Sequence, residues 1–101
     1  MIKHIVCWKL KNKTEPLKEC SDALAIKRVL EGLVGKVPGL IQAEVGFDYS
    51  NTKTASDIVL YSKFESKVAL KNYKNPPAHV KAGKTVRPRT YDRRMIDYEI
   101  E

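Results

Sequence analysis

The chain has 101 residues, a net charge of +7 from 19 Lys and Arg against 12 Asp and Glu, and a mean hydropathy of −0.41. This length predicts a single domain over residues 1–101, and no apolar run approaches the roughly 18 residues that cross a bilayer. The apolar stretch at the start is too short for a signal peptide, so we expect a cytoplasmic protein that makes no membrane contact. Cys7 and Cys20 match no zinc or disulfide spacing and are expected to be free thiols.

Part of the positive charge is concentrated late in the chain, in Lys81, Lys84, Arg87, Arg89, Arg93 and Arg94. Such a cluster is read either as a phosphate-binding patch or as a solvated helix face beside the outward side of an edge strand. The segment Asp57 to Phe64 lacks the Lys/Arg-Gly-aromatic signature of sheet-face RNA binding. We therefore favour the solvated face and expect no nucleic-acid partner.

The first two predicted elements are a strand and a helix. Residues 2–11 alternate with period two, and one side is apolar except for His4. Thr14 before Glu15-Pro16 resembles an N-cap with proline in the first helical turn. Apolar residues then recur at helical spacing from Leu17 to Val37, and Pro38-Gly39 ends the helix.

Two strands are predicted next. Leu40 to Tyr49 alternates, and Gly46 inside it suggests a bulge or a close backbone approach. Residues 50–56 form a polar loop. Asp57 to Glu65 is substantially apolar on both sides, which is typical of a strand that is covered on each face.

The remaining elements are two short helices and a last strand. Ser66 can cap a helix over 67–74, which Asn75-Pro76-Pro77 interrupts. Pro77 can open a second helix that carries His79, and Arg87-Pro88 closes it. Residues 89–101 form the last strand.

The resulting order, β-α-β-β-α-β, predicts an α+β fold of the ferredoxin-like type, a four-stranded antiparallel sheet with helices on one face. The strands carry more apolar residues than the helix side can cover, among them Ile5, Cys7, Ile41, Val45, Ile58 and Leu60. A large exposed apolar sheet face is an association surface. We therefore expect a homodimer in which two sheets face each other.

Seven segments, in order and at compatible spacing, resemble the stress-responsive α/β-barrel domain family, whose proteins are dimeric. They are Met1-Ile2-Lys3-His4-Ile5-Val6, Val37-Pro38-Gly39-Leu40, Glu44-Val45-Gly46, Asp57-Ile58-Val59-Leu60-Tyr61, Phe64-Glu65-Ser66, Tyr73-Lys74-Asn75-Pro76-Pro77-Ala78-His79-Val80 and Asp97-Tyr98-Glu99. The resemblance implies a homodimeric barrel built from two ferredoxin-like protomers. Some members of the family are known only as stress-induced proteins.

One plant member of the family is a polyketide cyclase that catalyses an intramolecular aldol condensation without a cofactor, in a pocket between sheet and helices. The resemblance places its catalytic histidine at His79, a supporting tyrosine at Tyr73 and a strand histidine at His4. It implies that no cofactor or metal is needed. The remaining predicted lining of the pocket consists of Val6, Trp8, Leu30, Asp57, Val59 and Val80.

Three departures from the cyclase pattern weaken the transfer of its activity. Asp57 stands where the cyclase has another pocket histidine, and Leu30 stands where it has a tyrosine. The frequent His-Pro-x-His motif of the family reads Pro76-Pro77-Ala78-His79, without its first histidine.

Several interpretations of the histidines stay open. His79 in a first helical turn suits a neutral general base, and Tyr73 or His4 suits a hydrogen-bond donor to an enolate. Alternatively, His79 caps its helix and His4 is a satisfied core histidine. A metal site formed by both histidines with Asp57 is disfavoured, because the positions form no ligand-spacing motif.

Two functions follow from these interpretations. The first is a stress-responsive dimer that binds a small apolar or aromatic molecule. The alternative is a cofactor-independent cyclase or isomerase that performs aldol or enolisation chemistry on a polyketide-like carbonyl compound, with His79 as the base.

Overall fold

The computed structural model describes residues 1–100 and confirms the predicted ferredoxin-like α+β fold. The strands are β1 (Ile2–Leu10), β2 (Leu40–Phe47), β3 (Ile58–Phe64) and β4 (Thr90–Glu99). The helices are α1 (Ser21–Glu31), α2 (Lys67–Asn72) and α3 (Pro77–Val86), with short 3-10 turns at Leu17–Glu19 and Arg87–Arg89. The strands form one antiparallel sheet in the order β2-β3-β1-β4.

The core lies between one face of this sheet and the helices, as the alternation in β1 predicts. The even-numbered side chains of β1 are all buried, whereas most of its odd-numbered side chains are only partly buried. Phe64 from β3 and Ile26 from α1 are among the largest fully buried side chains in residues 1–100. Because α1 and α3 pack on this same face, the polar His4 is enclosed with the apolar residues.

The first helix is shorter than predicted. Cys20 has extended backbone angles and separates the 3-10 turn from α1, which begins at Ser21 and ends at Glu31. Beyond α1 the chain makes irregular turns in which Gly35 adopts a φ of +88°, a conformation that glycine tolerates best. Leu33 and Val37 are nevertheless buried, which explains why the apolar spacing continues past the end of the helix.

The predicted bulge at Gly46 is not present. The register between β2 and β3 is regular there, and its one shift lies between Leu40 and Gln42. A Cβ atom on Gly46 would lie 3.4 Å from a methyl carbon of Val59, an ordinary contact distance. Neither the predicted bulge nor an unusually close backbone approach is therefore found at Gly46.

The ends of the two short helices follow the sequence signals. The Ser66 hydroxyl accepts a hydrogen bond from the Ala69 backbone N–H at 3.1 Å, and Pro77 occupies the first turn of α3. Only residues 73–76 separate α2 from α3. This short connection brings Tyr73, after α2, next to His79 in the first turn of α3.

The opposite face of the sheet is left uncovered by helices. It carries Ile5 and Cys7 on β1, their β3 neighbours Tyr61 and Val59, and Ile96 on β4. Ile96 is 57% exposed and lies directly opposite Ile5. Three other apolar strand residues, which the sequence did not assign to a face, belong to the core between the sheet and the helices: Val45, Ile58 and Leu60. None of the helices in residues 1–100 has the length and apolarity to cross a membrane.

Candidate functional site

A cavity of about 310 Å³ lies between the sheet and helices α1 and α3. Its apolar wall consists of Val6, Trp8, Leu30, Leu60, Ala82 and Val86, and its polar side chains are His4, Tyr73, His79, Arg87 and Arg93. A small, mostly apolar cavity with a few converging polar groups is the usual form of a small-molecule site.

The structure brings together the three residues predicted to carry chemistry. His4 comes from β1, Tyr73 from the end of α2 and His79 from the first turn of α3. Three of the predicted lining residues, Val6, Trp8 and Leu30, are also part of the cavity wall.

The other three predicted lining residues, Asp57, Val59 and Val80, lie elsewhere. Asp57 accepts hydrogen bonds from the Leu10 backbone N–H at 2.8 Å and from the Lys13 ammonium at 3.0 Å, so it holds the end of β1. Val59 is on the uncovered face of the sheet, and Val80 points largely to solvent. Asp57 is bonded to groups at the end of β1 and does not line the cavity that contains His4 and His79. The three side chains considered from the sequence as metal ligands are therefore not brought together.

Tyr73 is the centre of an aromatic cluster at one end of the cavity. Its ring centroid lies 4.1 Å from that of His79, 5.9 Å from that of His4 and 5.0 Å from that of Phe64. Burial raises the pKa of the Tyr73 hydroxyl to about 12, although the positive charge of Arg93 opposes this shift. Tyr73 is therefore a neutral hydrogen-bond donor at any ordinary pH.

His79 is held in its neutral form. Burial lowers the pKa of its imidazole, and the positive charges of His4, Arg87 and Arg93 act in the same direction, whereas the Lys74 backbone opposes them. Its Nδ1 is buried and has no hydrogen-bond partner within residues 1–100. A neutral imidazole is the protonation state that a general base requires.

No side-chain contact within residues 1–100 supports the alternative role of His79 as a helix cap. The N-cap residue of α3 is Pro76, and no side chain caps this end. The backbone N–H of His79 donates to the Pro76 carbonyl at 3.0 Å, as any residue in that turn does.

Three polar residues in or beside the cavity are missing from the site residues predicted from the sequence. Asp97 on β4 is bonded through its carboxylate to Nδ1 of His4, so that His4 is a partnered histidine that also faces the cavity. Arg87 and Arg93 line the cavity while remaining exposed to solvent, which places them at its rim. For Asp97 the available signal was the antiparallel register, in which residue 4 faces residue 97. For Arg87 and Arg93 it was the basic cluster late in the chain, for which the sequence favoured a solvated face.

Known proteins resemble this chain over its whole length. Residues 2–100 match the model of the stress responsive A/B barrel domain. A dimeric protein of unknown function with a ferredoxin-like fold from Bacteroides fragilis is 31% identical, with a TM-score of 0.82 and coverage of 98% of this chain and 95% of its own. No curated protein sequence matches.

Two more distant structures share the fold. One is a family member with a ferredoxin-like fold from Mesorhizobium loti, with 24% identity, a TM-score of 0.73 and coverage of 99% of this chain and 96% of its own. The other is the hydroxynitrile lyase from Passiflora edulis, with 17% identity, a TM-score of 0.80 and coverage of 99% and 93%. Because its residues 2–100 match the family model, the chain belongs to the stress responsive A/B barrel domain family.

Proposed function

We propose that this protein is a stress-responsive dimeric α/β-barrel protein that binds a small apolar or aromatic molecule in the cavity between sheet and helices. The observation that carries the proposal is the cavity itself, about 310 Å³ with an apolar wall and a few polar side chains. Apolar walls supply affinity by removing ligand surface from water, and a few polar groups orient the ligand. We propose a cytoplasmic location, where the free thiols of Cys7 and Cys20 would remain reduced.

The uncovered sheet face supports the dimer in this proposal. Ile5, Ile96 and their neighbours form an apolar surface that no helix covers, and burying such a surface against a second copy is favourable. Solved relatives from Bacteroides fragilis and Thermobifida fusca are described as dimeric ferredoxin-like proteins.

Native mass spectrometry of freshly purified protein tests both parts of the proposal. We expect a dimer that carries a small molecule with it. Leu30→Trp places an indole in the cavity and should abolish the added mass, whereas Leu24→Trp on the exposed side of the same helix should retain it. Thermal unfolding of both variants checks that Leu30→Trp still folds. An added mass that persists in folded Leu30→Trp would place the molecule outside the cavity.

A second candidate function is cofactor-independent aldol or enolisation chemistry with His79 as the base. Its specific support is the neutral His79 imidazole, whose Nδ1 has no hydrogen-bond partner within residues 1–100, beside the neutral Tyr73 hydroxyl. In such a step the histidine takes a proton from the carbon next to a carbonyl. The C–H electron pair forms the C=C bond of the enolate, and the tyrosine donates a hydrogen bond to the oxygen that gains the charge.

Deuterium exchange of the acetophenone methyl group in D₂O, followed by NMR, tests this second function. Acceleration by the wild-type protein that His79→Asn abolishes would support the base role. Lys81→Asn, an exposed change on the same helix, should leave the rate unchanged. Exchange at the rate of the buffer alone would remove the enzyme candidate while leaving the binding function intact.

A further inference from the structure

We infer that the molecule bound in this cavity carries a carboxylate, which Arg87 and Arg93 bind at the rim while the apolar wall holds the body of the ligand. The inference rests on the proposed binding function and specifies its ligand class. Neither arginine is among the residues that the family resemblance assigned to the site.

Arg93 reaches the rim because β4 is irregular at this point. The register between β1 and β4 shifts between Cys7 and Lys9, so Asp92 and Arg93 together stand opposite Trp8. Asp92 has a φ of +51°, in the left-handed region that aspartate tolerates better than most residues. Bulges of this kind redirect a side chain, and here Arg93 lines the cavity.

Arg87 reaches the same rim from the end of α3. Its guanidinium lies against Gly83, where a Cβ atom would come within 2.6 Å of one guanidinium nitrogen. The absence of a side chain on Gly83 therefore leaves room for the guanidinium to lie along the helix beside the cavity. Arg87 and Arg93 line the same cavity as His79, so both guanidinium groups are available to one ligand.

The charge at this rim is uncompensated. Within residues 1–100, Arg87 and Arg93 have no carboxylate at ion-pair distance, whereas the nearby Arg89 and Arg94 are paired, each at 3.1 Å, with Asp22 and Asp92. Among residues 1–100, no Asp or Glu lines the cavity, and the adjacent carboxylate of Asp97 is bonded to His4. The cavity lining thus carries two guanidinium groups without an ion-pair partner and no carboxylate, which favours an anionic ligand.

The shape of the site favours a monocyclic aromatic acid or a similarly compact one. A guanidinium group presents paired N–H donors that match the two oxygens of a carboxylate. A volume of about 310 Å³ is at the low end for small-molecule sites and suits a single ring. Trp8 and Leu30 in the wall provide the apolar contact for that ring.

Isothermal titration calorimetry of the full-length protein with benzoate, benzamide and phenyl phosphate tests the inference. Benzoate and benzamide have nearly the same shape and differ in charge, and we expect benzoate to bind at least about tenfold more tightly. The double variant Arg87→Gln/Arg93→Gln should lose this preference and keep its affinity for benzamide. Lys81→Gln/Lys84→Gln removes the same number of charges from exposed positions of α3 and should keep the preference.

The outcomes separate the inference from the function on which it depends. Equal binding of benzoate and benzamide, or a benzoate preference that survives in the arginine variant, overturns the inference and leaves small-molecule binding standing. Tighter binding of phenyl phosphate than of benzoate overturns the carboxylate assignment. Absence of binding by all three compounds, together with native mass spectra of the empty protein, overturns the proposed function as well.

Discussion

Asp97 on β4 lies directly opposite His4 on β1, and its carboxylate is bonded to Nδ1 of the histidine. A carboxylate on one ring nitrogen orients the imidazole and leaves the other nitrogen to face elsewhere. The rings of His4 and Tyr73 pack edge-on, with centroids 5.9 Å apart. Asp97 therefore positions the His4 imidazole at the cavity without lining the cavity itself.

A double-mutant cycle should detect the coupling between His4 and Asp97. We expect His4→Gln and Asp97→Asn each to lower the free energy of unfolding by about 1 kcal/mol, and the double variant to lose less than the sum of the two. The buried histidine makes this pair stronger than an exposed one, although Asp97 itself is partly solvated. Urea unfolding of the four proteins at neutral pH measures the coupling.

The matched control for this cycle is the pair of Lys9 and Asp92, in which both side chains are partly exposed and the ammonium and carboxylate lie 3.7 Å apart. Exposed pairs of this kind contribute under about 1 kcal/mol. A coupling energy for His4 and Asp97 no larger than that of the control pair would contradict the positioning role of Asp97.

The neutral state of His79 predicts a loss of stability in mild acid. Since the pKa of His79 in the folded protein lies below its ordinary value of 6.5, the unfolded chain takes up the proton first as the pH falls. Stability is therefore lost from about pH 6.5 downward through the folded-state pKa. His79→Asn should flatten this part of the stability profile, measured by urea unfolding at several pH values.

Lys81→Asn, an exposed change on the same helix, serves as the control for the acid profile. It should retain the wild-type slope. A His79→Asn profile parallel to that of the wild type from pH 7 downward would show that burial does not perturb this imidazole.

The buried Tyr73 hydroxyl predicts a loss of stability in alkali. Its pKa rises from 10 to about 12 on folding, so the unfolded chain releases this proton first as the pH increases. The contribution is complete below pH 10 and is lost as the pH rises through 12, by roughly 3 kcal/mol at most. Tyr73→Phe should lose correspondingly less stability than the wild type between pH 9 and 11.5 in urea titrations.

Tyr49→Phe is the matched control for the alkaline profile, because Tyr49 is 98% exposed. Its stability should follow the wild-type profile throughout. If Tyr73→Phe also follows the wild type, the Tyr73 hydroxyl ionises as readily in the folded protein as in the unfolded chain.

Local patterns in the sequence were sufficient to predict the order of strands and helices. Period-two alternation placed His4 on the buried side of β1, and Ser66 and Pro77 marked the starts of α2 and α3. These signals act within one or two turns of the chain, where residue type alone limits the backbone. The short connection through Asn75-Pro76, between α2 and α3, likewise brings Tyr73 and His79 together.

The rest of the site depends on long-range register that single residues do not reveal. Asp97 pairs with His4 across 93 positions, and Arg93 faces the cavity next to a bulge that depends on the backbone angles of Asp92. Asp57 was placed in the pocket because it occupies a histidine position of the cyclase. Its hydrogen bond to the Leu10 backbone N–H, which takes it away from the pocket, follows from where β1 ends beside β3.

The uncovered sheet face predicts where a dimer should be broken. Ile96 is 57% exposed and packs beside Ile5 on this face, whereas Val68 is 66% exposed on α2, away from it. Ile96→Asp would bury a charge in the dimer interface, so it should raise the dimer dissociation constant at least about tenfold. Val68→Asp makes the same kind of change and should leave association unchanged.

Sedimentation equilibrium over a range of protein concentrations measures both dissociation constants. Circular dichroism should show the wild-type secondary structure in each variant, because both positions are exposed in the single chain. If Ile96→Asp remains as dimeric as Val68→Asp, the two copies meet through another surface. In that case the apolar face around Ile5 requires a different partner, since a patch of this kind is unfavourable in water.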